Sequence, residues 1–190
     1  MRIVSGKYGS RHLVGPRAGG FRPTSDRVRE ALFNLLGPLG PEVAFADLYA
    51  GSGAVGIEAL SRGAGRVVWV EGAGSSCWTI RKNLQELKIR EGDVIQKKVA
   101  AWVAGPHELF DVVFADPPYE LPVDQILGEL AAGPLLKPEG LLVLEHTRRQ
   151  ESPDAVGRLS RVDRRKYGES MLSLYRETAE ADPEQTEPSE

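Results

Sequence analysis

Asp116-Pro117-Pro118-Tyr119 closes the apolar run "DVVFAD" and sets a carboxylate, two prolines and an aromatic ring in a row. Each proline fixes φ and removes a backbone donor. What remains is a rigid line of acceptors, the Asp116 carboxylate and nearby carbonyls, with an aromatic ring at its end. Acceptors without donors suit an exocyclic amino group, which has two hydrogens to give. The Tyr119 ring suits the face of a planar base, and such stacking is worth roughly 1–3 kcal/mol per base. An aromatic amine is a poor nucleophile, because its lone pair is delocalised into its own ring. Hydrogen bonds from the amine to Asp116 and the Pro117 carbonyl would turn that lone pair toward an electrophile. The plainer alternative is a turn in which prolines merely end a strand.

A second motif lies upstream. In "DLYAGSGAVGIEAL", Gly51, Gly53 and Gly56 form G-x-G-x-x-G between an apolar run and a helical one. Glycine allows a sharp turn and a close approach by a ligand. Glu71 ends the next apolar run, where an acid can accept hydrogen bonds from both hydroxyls of a ribose. Strand, loop, helix, strand and acid in this order point to an adenosine-containing cofactor. NAD(H) fits the spacing too, but Asp47, just before the loop, would face its pyrophosphate unfavourably. A carboxylate there suits an ammonium or a sulfonium, and S-adenosyl-L-methionine carries both. Asp47 could instead tie down the loop backbone. A sulfonium methyl is already activated, so its transfer to an amine needs no metal. Alignment of nitrogen, carbon and sulfur would then supply much of the catalysis.

These residues need elements to hold them. "MRIVSG-KYGS-RHLVGP" is expected to form two short strands around a glycine turn. "TSDRVREALFNLLG" predicts a helix capped by Thr24 or Ser25 and stopped at Gly37-Pro38. Strands and helices then alternate: "VAFADLY", helix "AVGIEALSRG", "RVVWVE", helix "SSCWTIRKNLQELKI" capped by Ser75 or Ser76, "DVIQKKV", "DVVFAD", helix "VDQILGELAAGPLL" and "GLLVLEH". "GRLSRVDRRKYGESMLSLYRE" suggests two strands around a basic connection. Alternation of this kind implies a mostly parallel sheet covered on both faces, here extended by an antiparallel hairpin. Right-handed crossovers place the strand carboxyl ends along one edge, and ligands bind there at the switch point.

Length and composition fit one soluble domain with small additions, at 190 residues, 41% hydrophobic and 27% charged. The single cysteine, Cys77, excludes an internal disulfide and a thiolate zinc site, and suits a reducing, cytoplasmic setting. The start lacks the apolar core of a signal peptide, and no apolar run approaches the roughly 20 residues a bilayer requires. The net charge of −3 hides a contrast. The closing "ETAEADPEQTEPSE" holds six acids and no base, and is expected to be disordered. The remaining body is net positive, with basic residues gathered in 1–30 and 148–166. That suits a polyanionic partner, although solvated surface charge would look the same.

These stretches resemble the Rossmann-like methyltransferases that modify exocyclic amines through (Asp/Asn)-Pro-Pro-(Tyr/Phe). More closely, "MRIVSGKYGSRHL", "RPTSDRVREALFNLL", "DLYAGSGAVGIEALSRGA", "DVVFADPPYE" and "RRKYGESMLSLY" resemble the RsmD family, in order and spacing from Met1 to about Arg176. That family is bacterial and methylates N2 of a guanine in 16S ribosomal RNA. The resemblance implies an α/β, Rossmann-like class I methyltransferase fold. Its mostly parallel seven-stranded sheet would carry helices on both faces, a C-terminal antiparallel hairpin and a small N-terminal hairpin and helix. It divides the chain into an RNA-side extension (1–40), a methyltransferase domain (41–176) and an acidic tail (177–190).

The same resemblance implies the site. Asp116, Pro117, Pro118 and Tyr119 would hold the target amine and its ring. Asp47, Tyr49, Ala50, Gly51, Ser52, Gly53, Glu71, Gly72, Val99 and Thr24 would hold S-adenosyl-L-methionine. Within that set the loop Ala50 to Gly53 faces the methionine part, Asp47 its amino group, Thr24 its carboxylate, and Glu71 the ribose. Many methyltransferases read adenine with an acid or amide after the third strand. Lys97 and Lys98 stand there instead, which leaves adenine to backbone groups or to packing near Val99 or Ala100. Arg2, Lys7, Arg11, Arg22, Arg27, Arg164, Arg165 and Lys166 are expected to contact RNA phosphates. Asn83, in "IRKNL", is expected to be a helix residue. The implied partner is 16S rRNA, within a 30S subunit or an assembly intermediate, bound by a monomer with no metal and no membrane.

The amine chemistry alone does not choose among guanine N2, adenine N6 and cytosine N4. A DNA enzyme, or one acting on another RNA, stays open. Only 23 residues separate Asp116 from Gly140, however, which leaves little room for a DNA-recognition region. A nucleoside-binding assembly factor without catalysis is the third alternative, and the intact Asp-Pro-Pro-Tyr argues against it. A base inside a duplex could not reach Tyr119, so a flipped-out or loop base is expected.

Overall fold

Residues 1–15 and 25–178 are described by the computed structural model. In chain order the elements are α1 (Asp26–Leu36), β1 (Ala44–Leu48), α2 (Ala54–Ser61), β2 (Arg66–Glu71), α3 (Gly74–Leu87), β3 (Gly92–Gln96) and α4 (Val99–Val103). They continue as β4 (Phe110–Ala115), α5 (Val123–Leu130), β5 (Leu136–Thr147), β6 (Ala155–Val156), β7 (Leu159–Tyr167) and β8 (Ser170–Glu177). The strands form one sheet in the order β3-β2-β1-β4-β5-β8-β7-β6. β1 to β5 pair in parallel, and β8 returns antiparallel to β5. This is the expected architecture with eight strands where seven were expected, the two-residue β6 adding an outer edge.

The central strands are buried on both faces, as a sheet covered by helices requires. One apolar layer joins α1, α2 and α3, with Ile3 and Leu13, to Phe45, Trp69, Phe114 and Leu172. The other sets α4 and α5 against Leu48, Val70, Val113 and Leu144. No helix among the described residues is long and apolar enough to cross a membrane.

Several local expectations change for identifiable reasons. The N-terminal hairpin forms as a short one, with a single bridge between Arg2 and His12 and backbone bonds from Ile3 N–H to Arg11 O at 3.0 Å and from Leu13 N–H to Met1 O at 2.9 Å. Its tip also hydrogen-bonds to α2. The Val4 and Ser5 N–H groups donate to the two Glu58 carboxylate oxygens at 2.7 and 2.9 Å. Tyr8 N–H donates to Ser61 Oγ at 2.9 Å. Ser25 caps α1, accepting from Val28 N–H at 3.2 Å. α3 is capped by Ala73 rather than a serine, because Ser75 and Ser76 already lie within it. β3 ends at Gln96, and the alanine-rich "VAAWV" coils into the unexpected α4. α5 stops at Leu130, ahead of Gly133-Pro134, which cannot continue a helix. Glu177, expected to open the tail, closes β8, where its Oε1 accepts from Leu135 and Leu136 N–H at 2.7 and 3.1 Å. Thr24, Arg22 and the tail from residue 179 lie outside the described residues.

Candidate active site

The strand order reverses between β1 and β4, which are parallel neighbours in the sheet. Their last residues, Leu48 and Ala115, stand side by side, and Asp116 N–H donates to Leu48 O at 3.4 Å. The glycine loop and the Asp-Pro-Pro-Tyr corner therefore leave the sheet from one place. This is the switch point, where ligands of open α/β sheets bind.

The loop is tightly wound. Tyr49 has φ 57°, Gly51 53° and Gly53 77°, and Gly53 N–H donates to Ala50 O at 2.7 Å. A tyrosine in this region is uncommon, and such backbone gathers at ligand sites. Two buried acids brace the loop. Asp47 Oδ2 accepts from Gly56 N–H at 2.8 Å. Glu71 accepts from Gly51 N–H at 2.9 Å and from Ala73 N–H at 2.7 Å. Asp47 thus ties down the first turn of α2, directly after the loop. Gly56 serves packing: a Cβ there would stand 2.3 Å from Trp69 Nε1, whose N–H donates to Gly53 O at 3.1 Å.

Burial pushes the Asp47 carboxyl up to about 8, and the nearby Glu71 charge adds to the rise against the Gly56 hydrogen bond. Asp47 is therefore largely neutral at pH 7 and ready to ionise beside an arriving cation. Two acids around a backbone turn fit a cationic, ribose-bearing group such as S-adenosyl-L-methionine, and oppose a pyrophosphate. Lys97 N–H donates to Glu71 O at 3.1 Å, which joins the loop after β3 to the end of β2. Gly72 lies beside Lys98 there, and Val99 is buried as the first residue of α4.

On the β4 side, Pro117 is buried, Pro118 exposed, and Asp116 and Tyr119 half-buried. Tyr119 is held from the neighbouring strands. Its hydroxyl donates to Glu145 Oε1 at 3.3 Å and lies 3.4 Å from Ser170 Oγ, which itself donates to Glu145 at 2.9 Å. Gln150 holds the backbone that follows. Its Nε2 donates to Tyr119 O at 2.9 Å and Leu121 O at 3.3 Å, while its Oε1 accepts from Val123 N–H at 2.8 Å. A cavity of about 500 Å³, lined by Tyr119, Glu120, Thr147, Arg149, Gln150 and Glu169, opens beside the ring. That is ample room for a nucleobase.

Sequence reasoning missed Glu145, Gln150 and Asn83. Asn83 had a signal: it falls between Ile80, Leu84 and Leu87 on the apolar face of α3, where a polar amide needs partners. Its side chain meets Val14 and Ser52.

The basic residues are less gathered than expected. Lys7 sits beside Glu91, at 4.0 Å, just before β3 starts, so it lies at the edge opposite the site. Arg2, Arg11 and Arg27 are exposed. Arg164, Arg165 and Lys166 are not in a connection but on β7, paired with Ser173, Leu172 and Met171. β8 runs antiparallel to β5, so this end of β7 and its turn reach the carboxyl edge, where Arg148 Nε meets Glu169 Oε2 at 2.9 Å.

Comparison with known proteins agrees over most of the chain. The family model described as conserved hypothetical protein 95 matches residues 1–176. Ribosomal RNA small subunit methyltransferase D of Escherichia coli K12 is 31% identical over 183 residues, 96% of this chain and 92% of that protein. Its namesake from Haemophilus influenzae is 37% identical over 150 residues, 76% of this chain and 78% of that protein. Among solved structures, the candidate methyltransferase yhhF of Escherichia coli has a TM-score of 0.82 at 30% identity, covering 93% of this chain and 97% of its own. A hypothetical protein of Thermus thermophilus has a TM-score of 0.78 at 33% identity, covering 92% of this chain and 98% of its own.

Proposed function

The chain belongs to the family of ribosomal RNA small subunit methyltransferase D, and from that premise we propose that it methylates the exocyclic N2 amine of a guanine in 16S ribosomal RNA, using S-adenosyl-L-methionine. One observation carries the reading: the acid-braced glycine loop and the Asp-Pro-Pro-Tyr corner emerge from adjacent strand ends, joined by the Asp116 to Leu48 bond.

When bound, the cofactor supplies a methyl group already activated on a sulfonium. Asp47 faces its ammonium, Glu71 its ribose hydroxyls, the turn Tyr49 to Gly53 its methionine part, and Gly72 with Val99 the adenine side. Thr24 is assigned to its carboxylate. The Asp116 carboxylate and the Pro117 carbonyl accept the two hydrogens of the target amine and turn its lone pair out of conjugation. Asp116 also offsets the positive charge that grows on the nitrogen. Tyr119 stacks on the base, and its hydroxyl bond to Glu145 stops the ring from swinging away. The cavity beside Tyr119 receives the flipped-out base.

In this scheme residues 1–40 and the basic end of β7 grip RNA phosphates, and 41–176 carry out the transfer. The partner is 16S rRNA in a 30S subunit or assembly intermediate, met by a monomer in the cytoplasm. The test is methyl transfer from labelled cofactor to undermodified 30S subunits, bare 16S RNA and duplex DNA, followed by nucleoside analysis. Label in N2-methylguanosine from ribosomal RNA is expected. Label on adenine N6 or cytosine N4, or in DNA alone, would overturn the assignment.

A further inference from the structure

Asn83 is buried in α3, yet none of its side-chain hydrogen bonds serves α3. Its Oδ1 accepts from Val14 N–H at 2.8 Å. Its Nδ2 donates to Val14 O and to Ser52 O, both at 3.1 Å. One amide thus grips both backbone groups of a residue in the N-terminal segment and a carbonyl of the glycine loop. A leucine would satisfy the apolar face that Ile80 and Leu84 define. An asparagine there is costly unless its donors and acceptor are all met. They are met only by the segment and the loop.

The rest of the segment makes this bond more than a local tether. Met1 Sδ lies 3.8 Å from Ser52 Oγ, at the loop end of α2. Glu58 and Ser61 bind Val4, Ser5 and Tyr8 along the same helix, toward its far end. α2 begins where the loop ends, at Gly53. The N-terminal segment is therefore a brace lying along the helix that the glycine loop starts, and Asn83 locks it to the loop.

We propose that Asn83 is a positioning residue for the cofactor site: through Ser52 O it holds the Ala50–Gly53 turn in its binding conformation, with the N-terminal segment as its support. The inference rests on the assignment of that turn to the cofactor. Without the lock the turn samples other conformations, and affinity falls in proportion to the competent fraction. Transfer in the saturated complex is retained, because the Asn83 hydrogen bonds go to Val14 and Ser52 and not to the Asp116 corner.

The experiment uses the full chain with Asn83→Asp and Asn83→Ala. The aspartate keeps the size and the acceptor for Val14 N–H but loses both donors. The alanine loses all three bonds and covers the case in which the buried charge prevents folding. S-adenosylhomocysteine affinity is measured by calorimetry, with KM for S-adenosyl-L-methionine and kcat on undermodified 30S subunits. Both variants are expected to bind S-adenosylhomocysteine about tenfold more weakly, the loss of one or two hydrogen bonds, with KM raised to match and kcat within about twofold. A merely structural role would lower melting temperature and kcat while leaving KM in place. Affinity within about twofold of wild type in both variants, or a fall confined to kcat, overturns the proposal. A wild type that binds no S-adenosylhomocysteine would overturn the cofactor assignment, and this inference with it.

Discussion

Asp47 carries two duties that pull against each other. It fastens Gly56 N–H while held largely protonated by burial, and in the proposed function it would ionise beside the cofactor's cation. A carboxyl whose folded pKa lies above its unfolded value favours folding at low pH, and that contribution is lost as pH rises through the folded pKa. Here the loss runs from the ordinary value of 3.8 up to about 8. Asp47→Asn cannot ionise, and its side-chain oxygen still accepts from Gly56. It is expected to melt at a higher temperature than wild type above pH 7, with the gain growing until about pH 8 and level beyond. The same variant is expected to bind S-adenosylhomocysteine about 10–100-fold more weakly, through loss of a charged hydrogen bond. Melting curves at several pH values and calorimetry check both halves, and a variant both less stable and equally tight would contradict them. The place of Asp116 to Tyr119 at the end of a strand was legible from sequence because the corner's signal is local. Asn83 showed only as a polar residue on an apolar helix face, because its partners lie 69 and 31 residues away.

Among the elements, the sheet strands and the long helices followed from periodicity. The misses came at element boundaries. The serines expected to cap α3 fell inside it, and α4 hid behind a strand ending in Val99. A further feature of the β5, β7 and β8 group has no local signature at all. Arg161 Nη1 donates to Ser152 Oγ at 3.0 Å, Ser152 and Ser173 Oγ are 2.7 Å apart, and Ser173 Oγ is 2.8 Å from His146 Nε2. His146 Nδ1 lies 2.9 Å from Thr147 O, a pure acceptor, so Nδ1 carries the proton and Nε2 accepts from Ser173. Burial, with the Arg164 and Arg161 charges, holds His146 below its ordinary 6.5. The unfolded chain then takes up the proton first, so stability falls as pH drops through 6.5 toward the lower folded value. His146→Gln removes this titration. The urea midpoint of wild type is expected to drop more than that of the variant between pH 7.5 and 5.5, and parallel drops would contradict the assignment.

At the scale of the whole molecule, the mostly parallel sheet and the meeting of the glycine loop and the Asp-Pro-Pro-Tyr corner at its switch point were legible because parallel α/β topology leaves few options. The distribution of positive charge was not. The position of Lys7 at the opposite edge, and of Arg164 to Lys166 on a strand, depends on how the two termini dock. In the proposed function the fold also keeps two tasks apart: the loop after β1 would hold the cofactor, and the corner after β4 the amine. Asp116→Ala should therefore damage one task and spare the other. Single-turnover methyl transfer to undermodified 30S subunits, with S-adenosylhomocysteine affinity measured on the same preparation, tests this most directly. The account predicts transfer slowed at least about 100-fold, with affinity within about threefold of wild type. Transfer at the wild-type rate would contradict it.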